Sequence, residues 1–233
     1  SIPLSSRMAA ALTVISSMAT RKLLAELLAS LPGVPATVES VGGVDAARRV
    51  AAGEAFDAVV LGADAIDRLM ADDHLRAGSR VDLVRSGVAL AVRAGAPRPD
   101  LSSAQAVKAA VLAARHIGYS TGPSGVALAA LFERWGIAGQ VQAKLAVPPP
   151  GTPVGALIAS GEIELGFQQL SELMFLPGID VVGPLPDEIQ ITTVFAGAVA
   201  SASRQPQAAR ALLEALADPA LTAIKRANGM DSA

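Results

Sequence analysis

The stretch Leu12–Ala29, LTVISSMATRKLLAELLA, joins a strand pattern to a helix pattern and decides the fold. Leu12–Ile15 is a short apolar run rich in β-branched residues, which predicts a buried strand. Leucines then recur at helical spacing from Leu23 onward. Ser16 and Ser17 lie at the junction, where the free N–H groups of a first helical turn can bind an anion. The alternative is that one serine merely caps the helix.

Two similar junctions follow in the next 35 residues. Gly43 comes after a predicted strand at Ala36–Val41, and Gly62 comes after one at Phe56–Leu61. A glycine at such a junction lets the backbone approach a ligand closely, although it can also make nothing more than a turn. The repeated order of strand, small-residue loop and helix predicts an α/β protein with mixed, mostly parallel sheets.

The loop STGPSG contains Ser120, Thr121 and Ser124 and precedes a predicted helix at Val126–Trp135. Hydroxyls and glycines at a helix start favour an anion, although a plain loop with caps is the alternative. The loop is not a P-loop because the Gly-Lys-Ser/Thr ending is absent. Further along, Val141–Val147 is predicted as a strand. Thr152 opens the next helix, and Gln169 follows a strand at Glu164–Phe167.

Composition excludes several classes of protein. The 233 residues carry a net charge of -2, which argues against a nucleic-acid-binding protein. Cysteine is absent, which excludes disulfides, thiolate catalysis and cysteine-based metal sites. His74 and His116 lie in separate segments, so we expect no metal site, no cofactor and no catalytic set. The chain has no charge-free apolar run of about 18 residues, so we predict no membrane span.

Six phrases, in this order, resemble the type 2 periplasmic binding proteins, and within them the molybdate-binding group. The resemblance covers the chain from about Leu12 to Met230. The phrases are LTVISSMATRKLL, DAARRVAAGEAFDAVVLGAD, VRSGVALAV, GPSGVALAALFERWG, GEIELGFQQLSE and IKRANGM.

The resemblance implies two α/β lobes joined by two crossover strands, with one ligand held in the cleft between them. The crossovers would be the long strands around Val84–Val92 and Ile189–Ala198. The first lobe would comprise residues 8–85 and 195–233, and the second residues 86–194. Residues 1–7 would be a tail or a cloning remnant.

The resemblance also implies a set of ligand-binding positions at loop tips. A family serine falls at Ala19 and another falls near Gly43, while the family's tyrosine in the late loop becomes Gln169. An alanine becomes Ser124, and an asparagine at the first crossover becomes Arg85. An arginine there needs a partner if it is buried. That partner is either an acidic residue, Asp82 or Glu172, or the ligand. The predicted ligand-binding set is Ser16, Ser17, Ala19, Gly43, Gly62, Arg85, Ser120, Thr121, Ser124, Thr152 and Gln169.

These expectations together favour a monomeric, non-enzymatic solute-binding protein that supplies an ABC importer permease. Its ligand would be a small anion, with an organic carboxylate favoured over a molybdate-like oxyanion because Arg matches a carboxylate bidentately. Its location would be the periplasm, or the cytoplasm if Met8 is the native start. Two alternatives share the fold: a cytoplasmic sensor, and an isomerase or lyase of a small acid. In the enzyme, Glu172 or Tyr119 would act as base or acid.

Overall fold

The computed structural model describes residues 11–149 and 152–233, so the tail predicted at residues 1–7 lies outside the described residues. The chain forms two compact units. The first comprises the residues up to Arg85 together with Val194–Ala233, and the second is Ser86–Thr193. The chain passes from one unit to the other twice, within two long strands, and the units are described separately below.

The first unit is built on parallel strands that alternate with helices. The strand β1 pairs in parallel with β2 on one side and with β3 on the other. The strand β9 pairs antiparallel with β3, which gives the order β2-β1-β3-β9. The elements are β1 Leu12–Ser17, α1 Arg21–Ala29, β2 Ala36–Val41, α2 Gly43–Ala51, β3 Ala58–Gly62, α3 Ala63–Ala71, β4 Val81–Arg93, β9 Thr192–Val199, α9 Pro206–Leu216, α10 Thr222–Ala227 and β10 Met230–Ser232.

Both faces of this sheet are buried, which explains the continuous apolar runs of its strands. Val14 belongs to one core cluster and Ile15 to the other, because successive side chains of a strand point to opposite faces. Leu24 and Leu27 of α1 pack into the first cluster and are almost fully buried. Burying each such leucine contributes about 1.5–3 kcal/mol relative to leaving it exposed.

The second unit repeats the pattern with a different strand order. Its sheet runs β4-β7-β5-β6, with parallel pairs β5–β7 and β5–β6, while β8 lies on the other side of β4. The elements are α4 Ala104–Ala113, β5 Ile117–Tyr119, α5 Pro123–Arg134, α6 Ala138–Gln142, β6 Leu145–Ala146, α7 Val154–Ser160, β7 Leu165–Gln169, α8 Leu170–Leu173 and β8 Ile179–Pro184.

The predicted α/β class is confirmed, but some elements differ from the prediction. Val141–Val147 was expected to form a strand, whereas the chain forms α6 up to Gln142 and then the two-residue strand β6. Val141 is buried against the second unit's core from a helix, and a short apolar run cannot distinguish the two structures. The residues after Gln169 form the short helix α8, and the short strand β10 follows the last helix.

None of the helices in the described ranges is long and apolar enough to cross a membrane.

Candidate ligand site

The carboxyl ends of three strands meet at one edge of the first unit. Ser17 pairs with Val41, and Ser16 pairs with both Ser40 and Val60, so the ends of β1, β2 and β3 lie side by side. The loops after these strands therefore adjoin at this edge. The sequence prediction placed Ser16, Ser17, Gly43 and Gly62 here, and the strand register brings all four to the same edge.

Ser16 and Ser17 have different environments. The Ser16 hydroxyl is fully buried, donates to the Ser17 carbonyl oxygen at 3.0 Å and lies 2.7 Å from the Ser40 hydroxyl. Its hydrogen-bonding capacity is therefore used within the protein. The Ser17 Oγ is buried and has no hydrogen-bond partner among the described residues. A buried polar atom without a partner costs free energy, and a ligand oxygen at this edge would satisfy it.

Two helix N-termini open at the same edge. α2 begins after Gly42 and α3 begins after Gly62, and no described side chain caps either helix. A Cβ placed on Gly43 would lie 3.8 Å from the Ser17 Cβ, so the unpaired serine stands against the start of α2. Free N–H groups, the helix dipole and an unpaired hydroxyl form a cradle for an anion, and each helix also carries an aspartate in its first turn, Asp45 in α2 and Asp64 in α3. Ala19 contributes no polar side chain, and its methyl group packs against the core.

The second unit contains a cavity of about 430 Å³ at the corresponding edge of its sheet. Its polar lining comes from four predicted or neighbouring residues, and prolines and valines form the remaining wall. The lining residues are Ser120, Thr121, Val147, Pro148, Pro149, Thr152, Pro153, Val154 and Gln168. Three residues of the predicted set, Ser120, Thr121 and Thr152, therefore share one cavity.

The loop before α5 packs closely against the first turn of that helix. A Cβ at Gly125 would overlap the Ser120 carbonyl oxygen, so only glycine allows the first turn to approach this closely. Ser124 is buried, and its hydroxyl lies 3.3 Å from the Ser120 hydroxyl. α5 starts after Gly122 without a side-chain cap, so its first N–H groups have no acceptor from a capping side chain.

Gln169 is buried at the end of β7, and its amide oxygen accepts a hydrogen bond of 2.8 Å from the Ser86 hydroxyl. The adjacent Gln168 has an amide oxygen that is buried without a partner among the described residues. Burial raises the pKa of the Glu172 carboxyl group, and the side chain of Gln168 opposes this shift more weakly. Burial likewise raises the pKa of the Tyr119 phenol.

Arg85 is exposed rather than buried, so its charge needs no partner for folding. Its Nε donates to the Ser232 carbonyl oxygen at 3.3 Å. Neither acidic partner expected for it forms an ion pair with it among the described residues, and Asp82 pairs with Arg80 instead. A role for Arg85 in ligand binding stays a prediction.

Sequence reasoning missed Ser86 and Gln168 as site residues. Ser86 was visible as a polar interruption of an apolar strand, and Gln168 directly precedes a chosen residue. Neither signal in the sequence shows that Ser86 hydrogen-bonds Gln169, or that the amide oxygen of Gln168 is buried without a partner among the described residues. Among residues 11–149 and 152–233, no three His, Asp or Glu side chains form a cluster that could hold a metal ion.

Residues 12–231 match the family described as bacterial extracellular solute-binding proteins. The chain belongs to this family. It resembles a substrate-binding domain assigned to a molybdenum ABC transporter of Clostridium difficile, with a TM-score of 0.80, 17% identity and coverage of 95% of this chain and 98% of that chain. It also resembles the periplasmic molybdate-binding protein of Azotobacter vinelandii, with a TM-score of 0.73, 18% identity and coverage of 94% and 98%. The resemblance to type 2 periplasmic binding proteins of the molybdate-binding group is confirmed.

A relative from a Pseudomonas species is 43% identical over 215 residues, which is 88% of this chain and 82% of the relative. That protein is named aconitate isomerase. This finding corrects two expectations: that the chain is a component of an importer, and that it is not an enzyme. The sequence argument failed because a binding fold needs few residues to acquire catalysis, and no multi-residue motif marks such a change.

Proposed function

We propose that this chain is an isomerase of a small unsaturated polycarboxylic acid, with aconitate as the first candidate. The observation that carries the proposal is the 43% identical relative named aconitate isomerase. The cavity beside Thr121 supports it, because its hydroxyl and amide groups can donate hydrogen bonds to a carboxylate. Aconitate is a small organic carboxylate, which is the class of ligand that the sequence favoured.

The chemistry of aconitate sets what the site must do. The cis and trans isomers share one propene skeleton with three carboxylates, so their interconversion moves no electrons to or from an external group. A base removes a proton from the CH₂ carbon, and the C–H electron pair forms a new double bond. The electrons of the old double bond move onto the far carbon and its carboxylate. Returning the proton to that carbon completes the exchange, and rotation before proton removal decides which isomer forms.

Uncharged donors suit this reaction because charge develops on the substrate carboxylates in the intermediate. Helix N-termini and side-chain amides stabilise such charge without being reorganised. α2, α3 and α5 each present a start without a side-chain cap, and Gln169 presents a side-chain amide held by Ser86. We assign this role to the hydroxyl and amide side chains of the predicted set within each unit: Ser17 in the first, supported by Ser16, and Ser120, Thr121, Ser124, Thr152 and Gln169 in the second.

The test is a direct assay of purified protein with cis-aconitate and, separately, with trans-aconitate. NMR would follow both isomers, with heat-unfolded protein and buffer as controls. We expect each isomer to yield the same final mixture. Failure to convert either isomer, together with unchanged thermal stability in their presence, would contradict the proposal.

We also propose a periplasmic location, supported by the description of the family as extracellular. Fractionation of cells that express the native gene tests this proposal. The isomerase reaction itself requires no permease.

A further inference from the structure

We propose that Val147 is a specificity-determining residue of the cavity in the second unit, where its side chain contacts the hydrocarbon skeleton of the substrate. This inference rests on the proposed function. Val147 is 55% exposed and forms part of the cavity wall. Among the described residues of this unit, the other exposed large apolar side chains, including Val126, do not line the cavity. A single apolar residue on a surface needs no explanation, but one that lines a cavity offers a ligand a contact with carbon.

The strand register explains why Val147 lies beside hydrogen-bonding residues. Gly118 of β5 pairs with Ala146 of β6, and β5 also pairs in parallel with β7. Val147 and Ser120 therefore lie just beyond the ends of two adjacent strands, and Gln168 lies at the end of the third. All three residues line the cavity. The sheet thus brings apolar and polar side chains together at one edge.

The residues around Val147 offer few hydrogen-bond donors. Pro148, Pro149 and Pro153 line the cavity, and proline has no backbone N–H group. The backbone N–H of Thr152 donates to the Pro149 carbonyl oxygen at 3.0 Å, so this donor is already used. A tetrahedral inorganic oxyanion accepts hydrogen bonds in all directions. Oxygens of such an ion that faced this part of the wall would lose their hydration without gaining a donor.

The rest of the cavity lining carries hydrogen-bonding groups. Ser120, Thr121 and Thr152 supply hydroxyl groups. Gln168 supplies a side-chain amide. A substrate carboxylate can accept hydrogen bonds from these groups while the carbon atoms joined to it lie against the apolar wall. An organic acid therefore matches both kinds of lining, whereas molybdate or sulfate matches only one.

The reaction predicts which kinetic constant Val147 controls. Isomerisation moves a proton and a double bond but keeps every carbon atom of the skeleton, so the contact with Val147 is made in the bound substrate and in the intermediate alike. An interaction of equal strength in both states lowers KM and leaves kcat unchanged. Val147 therefore acts on affinity and on the choice of ligand, and not on the chemical step.

The experiment compares the wild type with Val147→Thr and with the matched control Val126→Thr. The change keeps the shape of the side chain and replaces one methyl group with a hydroxyl. Val126 is 68% exposed in the first turn of α5 and does not line the cavity. Three properties are measured: kcat and KM for aconitate isomerisation, calorimetric binding of tricarballylate, the saturated tricarboxylate that cannot isomerise, and calorimetric binding of molybdate. Thermal unfolding without ligand verifies that each variant folds.

We expect Val147→Thr to raise KM and the Kd for tricarballylate by about 3- to 10-fold, with kcat changed by less than about twofold. Val126→Thr should match the wild type. The wild type should bind molybdate much more weakly than tricarballylate. A second pair of variants enlarges the effect: Val147→Asp places a negative charge beside the substrate carboxylates and should weaken tricarballylate binding much more than Val126→Asp does.

Unchanged tricarballylate affinity in Val147→Thr and Val147→Asp overturns the assignment, and so does a lowered kcat at unchanged KM. Molybdate binding to the wild type as tight as that of tricarballylate overturns the selection by hydrocarbon contact. An active wild type with unaffected Val147 variants rejects the contact and keeps the isomerase. A wild type that converts neither isomer rejects the proposed function, and the tricarballylate affinities alone then decide the Val147 contact.

Discussion

The Ser86 hydroxyl donates a hydrogen bond of 2.8 Å to the amide oxygen of Gln169, and both side chains are buried. Ser86 lies in β4 where the chain enters the second unit, and Gln169 ends β7. This hydrogen bond occupies the amide oxygen of Gln169 and so fixes the orientation of the amide group. The two N–H donors of the amide nitrogen take no part in this bond, so they can donate to a ligand of the proposed kind.

Ser86→Ala should leave the Gln169 oxygen unsatisfied. We expect a loss of about 1–3 kcal/mol in the free energy of unfolding and a raised KM, because the amide is then free to rotate. Urea unfolding and steady-state kinetics measure the two effects. Ser160→Ala removes an exposed hydroxyl bonded to the Leu157 carbonyl and serves as the control. Equal behaviour of the two variants would contradict the positioning role.

Ser17→Ala and Ser16→Ala should have opposite effects. Removing the unpaired Ser17 hydroxyl should weaken substrate binding without lowering stability, because no hydrogen bond in the protein is lost. Removing the Ser16 hydroxyl breaks its contact with Ser40 and should cost about 1 kcal/mol of stability. Calorimetry with tricarballylate and thermal unfolding of both variants measure this. Unchanged affinity in Ser17→Ala would remove the proposed anion cradle.

The variant Arg85→Ala tests the prediction that Arg85, in the first crossover strand, contacts the ligand. Its Nε binds the Ser232 carbonyl, which leaves both terminal nitrogens available to a carboxylate. We expect tricarballylate affinity to fall about 10- to 100-fold, as for a lost charge-assisted hydrogen bond, with little change in stability. Arg93→Ala, at the other end of β4, is the control. Equal affinities in the two variants would exclude Arg85 from the site.

Lys225 is fully buried in α10, and its amine has no hydrogen-bond partner among the described residues. Burial lowers the pKa of this amine, and Asp218 opposes the shift more weakly. The unfolded chain therefore binds the proton more tightly, and stability should rise as pH increases from the lowered pKa towards about 10.4.

We therefore expect Lys225→Met to be more stable than the wild type at pH 7, with a gap that narrows by pH 10. Urea unfolding at the two pH values measures the gap, and Lys108→Met is the control. A gap that widens with pH would show that the amine is charged and paired in the folded state.

The sequence predicted the architecture better than it predicted the details of the site. The alternation of apolar runs with Ser17, Gly43 and Gly62 was sufficient to place three junctions at one edge, because parallel strands must align their carboxyl ends. It could not separate Ser16 from Ser17, since that distinction depends on Ser40, a residue on another strand.

Arg85 shows the same limit. An arginine within an apolar strand looked buried, but its side chain is exposed between the buried Val84 and Ser86 and reaches the last strand. The two-residue strand β6 was too short for any periodicity to reveal.

The close fit of Gly125 against the Ser120 carbonyl predicts a sharp boundary in a mutational scan of this chain. Every substitution at position 125 would force the loop away from the start of α5, so a library aimed at new substrates would yield no active clones there. The next position carries Val126, whose side chain is 68% exposed and should accept most residues. Changes to the wall of the cavity would therefore begin at Thr121, with Gly125 left unchanged.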